Sequence, residues 1–325
     1  MENNVDGLGE ARKVPPATGY LSPVGTTSRL VFLRKKQFRD LVAGYSFVLP
    51  SLVIITAFTF VPIVYGFIVS FTRWDMMSPT WTFVGLTNYY NLLTSNELWH
   101  SLFVTMYYLV GTIPITMALG LALALALNRN FRGVTFFRLV YYSPVVASAV
   151  AVAVVWLWMY DPINGIINYL LLKIGLPPQR WLSSPTTAMP SLIIMDVWKH
   201  VGYDMVIFLA GLQGISHHLY EAIDVDGGGK WAKFRYVTWP LLAPTTFFIL
   251  VISIINRFKV FATIHTMTKG GPAGATEVIV FFLYEQAFQY FKIGYAFAVA
   301  YILFVIIFSL TLVQWKIGKQ AIHYQ

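Results

Sequence analysis

The chain has 325 residues, 57% of them hydrophobic and only 11% charged, with 23 lysines and arginines against 14 aspartates and glutamates. Soluble domains carry about 25% charged residues, so this composition excludes an ordinary soluble globule, and the lack of cysteine excludes a disulfide framework, a zinc–thiolate site and a thiol nucleophile. The basic residues sit mostly beside the ends of apolar blocks, which is a membrane-topology signal rather than a nucleic-acid-binding face.

Residues 1–40 are polar and contain Pro15, Pro16 and Pro23, with no early apolar run leading to a small-residue cleavage site. They read as a disordered cytoplasmic tail, not a secretory signal. The basic group Arg34, Lys35, Lys36 and Arg39 closes it, and residues 41–325 read as one membrane domain.

A bilayer-spanning helix needs about 20 apolar residues. Five uncharged blocks meet that length: Leu41–Thr72, Ser101–Asn128, Leu139–Tyr160, Tyr236–Asn256 and Ile293–Trp315. A sixth, Ala188–Gly214, is long enough but contains Asp196, Lys199, His200 and Asp204. The expected fold class is therefore all-α: a polytopic membrane protein with about six transmembrane helices, kinked where Pro50, Pro62, Pro114 and Pro144 fall inside spans.

Lysines and arginines set the orientation. With the N-terminus inside, the cytoplasmic segments hold fifteen of them and the external segments five, which places both termini in the cytoplasm. The external segments, roughly 73–98, 161–187 and 268–291, are too short for independent domains.

The cytoplasmic segment 216–240 is too polar to span and too patterned for a plain linker. Ser216 stands where a helix N-cap is expected. Leu219, Ala222 and Ile223 then recur on one helical face. Gly227 to Gly229 stops that helix, and a second short amphipathic stretch sets Trp231, Phe234 and Val237 against Lys230, Lys233 and Arg235. Periodicity alone leaves two readings open: a rigid peg for a cytoplasmic partner, or a surface helix resting on the bilayer.

Glu221-Ala222-Ile223-Asp224-Val225-Asp226-Gly227-Gly228, followed by Phe234 and Pro240-Leu241-Leu242, resembles the EAA loop of permease subunits in binding-protein-dependent ABC importers, most closely the carbohydrate-uptake, maltose-type branch. Phe83-Val84-Gly85-Leu86-Thr87-Asn88-Tyr89, Phe208 to Ile215 and Thr268-Lys269-Gly270-Gly271-Pro272 resemble family segments in the same order. The chain departs from the pattern at Ile223, where the second alanine is usual, and at Gly228, where alanine usually follows the glycine. It also departs at Ser216-His217, where proline often begins the helix, and at Trp239, where leucine is usual.

The resemblance implies a type I ABC importer permease fold in which the loop docks into a cleft on a cytoplasmic ATPase subunit. Glu221, Ala222, Asp226 and Gly227 fall at the docking positions. Implied partners are a second, similar permease subunit, two ATPase subunits, an extracytoplasmic solute-binding protein and membrane lipid, with no cofactor. The chain itself is not an ATPase: Gly229-Lys230 invites the phosphate-loop pattern, but Asp224 and Trp231 break it. His217 and His218 are adjacent and do not face one metal together.

Charges inside spans usually face a bundle interior or a water-filled cavity. One reading has Asp196, Trp198, Lys199, Tyr203, Asn256, Arg257 and Lys259 lining a translocation path, binding hydroxyls and stacking on sugar faces. The other has Asp196 and Lys199 neutralising each other while Arg257 and Lys259 snorkel to the outer headgroups. The solute expected from the resemblance is a sugar or oligosaccharide. A glycerol-phosphate-type solute is the alternative suggested by the cations, and a stand-alone secondary carrier is the alternative of another class.

Overall fold

The computed structural model describes residues 26–77, 80–129 and 131–322, with side chains described from Leu41 to Lys316. The chain divides into two compact units, residues 1–63 and 64–325. In the first, a helix runs over Thr26–Ile55 and passes into a π-turn over Thr56–Phe60. The π-turn adjoins Pro62, which has no N–H for the carbonyl of Phe58, so the ladder is locally re-registered. Within the expected tail, residues 26–40 form the first part of this helix. They contain neither proline nor glycine, and Leu30–Leu33 and Arg34–Lys36 are compatible with a helix. The rest of the expected tail, residues 1–25, lies outside the described residues.

Among the described residues, three helices are long and apolar enough to cross a bilayer unbroken: Leu41–Ser70, Asn96–Leu127 and Ile293–Lys316. Two more crossings are bent pairs, Val134–Val146 with Ala149–Met159 at 99° and Lys230–Leu241 with Ala243–Phe258 at 57°. The sixth is the helix Pro185–Gln213, whose 29 residues extend about 43 Å at 1.5 Å each; its charged residues lower its mean hydropathy. These are called spans one to six in chain order, the first being Leu41–Ser70, then Asn96–Leu127, Val134–Met159, Pro185–Gln213, Lys230–Phe258 (whose first arm, Lys230–Leu241, also forms the second half of the cytoplasmic loop) and Ile293–Lys316.

Span three departs from the straight helix expected over Leu139–Tyr160. Pro144 withdraws an N–H from the last turn, Ala147 is extended, and a new helix starts after Ser148. The break leaves carbonyls exposed inside the membrane domain, where each unsatisfied group is costly.

Span four is the centre of the second unit. Met189, Leu192, Met195, Met205 and Phe208 are all buried, and they share the core with Val104, Tyr108, Ile113 and Ala124 of span two. Small residues allow the close crossings, as they do generally between membrane helices. Gly202 lies directly against the backbone of Tyr141 in span three, and a methyl group added at Gly120 would come 2.7 Å from Asp204 Cβ. Outside the spans, a short antiparallel ladder pairs Thr72–Arg73 with Thr82–Phe83. Asn88 ties it down by donating to the Ser70 and Thr72 carbonyls at 2.8 and 2.9 Å.

Candidate functional site: a charged cavity and a capped cytoplasmic loop

At mid-length of span four, Asp196, Lys199, His200, Tyr203 and Asp204 face a cavity of about 420 Å³ shared with Tyr108 of span two and with Ser253, Asn256, Arg257 and Lys259 at the end of span five. That volume falls in the ordinary range for small-molecule sites. Six of the seven residues expected along the path line it. Trp198 does not: two residues from Asp196, it points to the other side of the helix, is 45% exposed, and packs edge-on against Trp156 at 5.6 Å.

The ion pairs differ from those expected. Asp196 does not neutralise Lys199. Its carboxylate accepts from Arg257 Nε at 2.9 Å and lies 3.0 Å from His200 Nδ1. Arg257 also donates from Nη2 to Thr116 Oγ1 at 3.2 Å, and it is buried rather than snorkelling. A guanidinium suits this place because its fork of donors satisfies several acceptors at once. The Lys199 ammonium instead crosses to span three and donates to the carbonyls of Pro144 and Ala147 at 2.9 and 2.7 Å. Those are carbonyls at the 99° bend, so the lysine caps the broken helix. Lys259 and Asn256 are exposed at the cavity.

Asp204, Tyr108, Ser253 and Thr116 were not among the expected path residues. A signal for Asp204 exists in the sequence: Asp196, His200 and Asp204 recur at i, i+4 and i+8, one face of a helix.

The loop forms two short helices, His217–Val225 and Lys230–Lys233, the second running into a π-turn over Phe234–Thr238. Ser216 occupies the N-cap position, but its side chain makes no capping bond. The other end is fully capped. Gly227 takes φ +77°, its N–H donates to the Asp224 carbonyl at 3.0 Å, and the Gly228 N–H donates to the Ile223 carbonyl at 2.8 Å. That is the paired Schellman closure of a helix.

Lys233 bridges the helices with an ion pair to Asp224 at 2.6 Å, and Trp231 stacks on Phe234 with ring centroids 5.7 Å apart. Glu221 lies 3.0 and 3.1 Å from the Nδ1 atoms of His217 and His218. These bonds, His217 first, hold its acid below the usual range. Val225 and Trp231 are 88% and 73% exposed, so the turn presents apolar surface outward.

A family model described as "Binding-protein-dependent transport system inner membrane component" matches residues 117–318, which takes in the cavity's span-four and span-five residues and the whole loop. The chain belongs to this family.

The permease is similar to the probable ABC transporter permease protein YesP of Bacillus subtilis (strain 168), with 35% identity covering 88% of this chain and 94% of that one. It is similar to the trehalose/maltose transport system permease protein MalF of Thermococcus litoralis at 34% identity, covering 88% and 96%. The sn-glycerol-3-phosphate transport system permease protein UgpA of Brucella suis biovar 1 matches at 33%, covering 90% and 100%. Among solved structures, a bacterial ABC transporter that imports the acidic polysaccharide alginate shares the fold with a TM-score of 0.78 at 24% identity, covering 89% of the permease and 98% of that chain.

The permease thus has the type I ABC importer permease fold and lies in the inner membrane as a multi-pass subunit of a binding-protein-dependent ABC importer. It is not the catalytic part; a separate subunit hydrolyses ATP. Its partners include ABC subunits and a solute-binding protein.

Proposed function

We propose that the permease forms half of the path for a carbohydrate-type solute and is driven through residues 216–240 by a cytoplasmic ATPase. The observation that carries this is the loop itself: a Schellman-capped helix and a second helix cross-tied by Lys233–Asp224, hung between two spans with Val225 and Trp231 exposed. Such a unit moves as one body, so force applied at Gly227 reaches spans four and five. Glu221, Ala222, Asp226 and Gly227 are the docking positions. The full assembly is a heterodimer with a second, similar permease subunit, two ATPase subunits and an external solute-binding protein.

The carbohydrate reading is supported by the solutes named for the trehalose/maltose relative and by a cavity lined with Tyr203, Asn256 and Ser253 beside charged groups. The glycerol-phosphate reading drew on Lys199, Arg257 and Lys259, yet two of these cations are bound within the protein, on carbonyls and on Asp196. Family membership sets aside the stand-alone carrier.

The chain has no cysteine, so a single Val225→Cys variant gives a clean test. A short bismaleimide cross-link from position 225 to the ATPase subunit of the purified importer is expected. Labelling of position 225 by a membrane-impermeant maleimide added outside intact cells would sink the docking role.

A further inference from the structure

Most hydrogen-bonding groups around the cavity have partners within the protein. Arg257 is held by Asp196 and Thr116, and Lys199 by the Pro144 and Ala147 carbonyls. Among the described residues, two buried groups that line it are exceptions: the Tyr108 hydroxyl, and Asp204, which is 1% exposed and has nothing donating to its Oδ2. Its backbone is pressed against Gly120 of span two, where an added Cβ would lie 2.7 Å from Asp204 Cβ and 3.1 Å from the Met205 nitrogen. The backbone and Cβ that carry the carboxyl group are therefore held by helix packing, which limits where it can reach, as a preorganised binding group requires. A buried acceptor left without a donor is expensive, and Asp204 borders this cavity.

We propose that Asp204 is the specificity-determining contact of this cavity: its Oδ2 accepts a hydrogen bond from a hydroxyl of an uncharged, polyhydroxylated solute, and it disfavours solutes carrying phosphate or carboxylate at that point. This rests on reading the cavity as the solute path. A hydroxyl can donate to Asp204 while accepting from the Lys259 ammonium at the same cavity. A phosphate ester offers acceptors there and brings like charge against a carboxylate, so Asp204 stays unsatisfied.

The cysteine-free sequence supplies the test. Asn256→Cys places a reporter on an exposed cavity position, and the assembled importer is treated with a cationic trimethylammonium-ethyl or an anionic sulfonatoethyl methanethiosulfonate. Changing Asp204→Asn, or Asp204→Ser as a second variant, is expected to raise the anionic rate relative to the cationic rate by about tenfold, the scale of removing one nearby charge at intermediate dielectric. With a neutral maleimide as reagent, trehalose is expected to protect the reporter better than sn-glycerol 3-phosphate. That protection should survive Asp204→Asn, which keeps an acceptor oxygen, and vanish in Asp204→Leu. An unchanged rate ratio, or protection by sn-glycerol 3-phosphate equal to that by trehalose, overturns the role of Asp204. Failure of every reagent to reach position 256 instead overturns the cavity as the solute path.

Discussion

The side chain of Ile223 occupies the space that a side chain at position 228 would need: a methyl group added to Gly228 would overlap Ile223 Cγ2 and come 3.0 Å from the Ile223 carbonyl oxygen and 3.2 Å from Ala232 Cβ. These are two of the positions at which the loop departs from the family pattern of alanine at both sites. The departures compensate each other, a larger residue at 223 matched by none at 228, so the capped turn keeps its packing.

This pairing predicts a coupled double-mutant cycle. Gly228→Ala alone overpacks the turn and is expected to cost about 1–3 kcal/mol, seen as a lower melting temperature of the importer and weaker solute-stimulated ATP hydrolysis. Adding Ile223→Ala should recover most of the loss. Strictly additive effects would show that the two sites do not share this space.

Asp196 and Arg257 form a buried pair joining spans four and five at 2.9 Å. Removing one partner leaves a buried charge, at a cost of about 3–5 kcal/mol. Asp196→Ala and Arg257→Ala should each accumulate poorly in membranes, and the double variant should accumulate better than either. Quantitative immunoblotting of membrane fractions decides this, with equal loss in all three counting against the pair.

Lys199 caps the break in span three. Lys199→Met keeps the apolar stem but withdraws the donors from the Pro144 and Ala147 carbonyls, while Lys199→Arg retains donors. Melting temperatures of purified importer should fall for the methionine variant and largely recover for the arginine variant. Identical melting of the Lys199→Met variant and the wild type would remove the capping role.

On the external side, Glu277 approaches His100 and Gly274. Burial, then the neighbouring Glu285 carboxylate, push its acid from 4.5 up to about 7. Burial raises Glu285 as well. A raised carboxylate means that the folded protein binds more protons than the unfolded one between these values, so stability falls as pH rises. The contribution of Glu277 is full below about 4.5 and is lost as pH climbs through about 7. Thermal melts from about pH 5 to 8, which bracket this window, should decline for the wild type and flatten in Glu277→Gln; parallel profiles would show that Glu277 is not responsible.

Span number, the capped loop and most of the cavity lining were legible in the sequence because each leaves a one-dimensional mark. Apolar length marks a span, Gly227 after a periodic run marks a helix stop, and a charge within an apolar block marks an interior face. What escaped were relationships between distant segments. The choice of Arg257 over Lys199 as partner of Asp196 depends on how spans four and five cross, 61 residues apart in sequence. The bend in span three was signalled by Pro144, but its 99° angle and its rescue by Lys199 depend on packing. Trp198 was misplaced because an aromatic beside charged residues suggested the path, although its helical phase turns it away.

The central claim, that the glycine-capped loop transmits ATP-driven motion to the spans, is tested most directly by measuring solute uptake and ATP hydrolysis side by side in proteoliposomes for the wild type and Gly227→Val. Among the described residues beyond its chain neighbours, nothing lies within 4 Å of a Cβ added at Gly227, so space is no obstacle, but its φ of +77° penalises any β-branched residue. The account predicts that the variant inserts and assembles, continues to hydrolyse ATP, and loses uptake. Uptake per ATP equal to that of the wild type would contradict it.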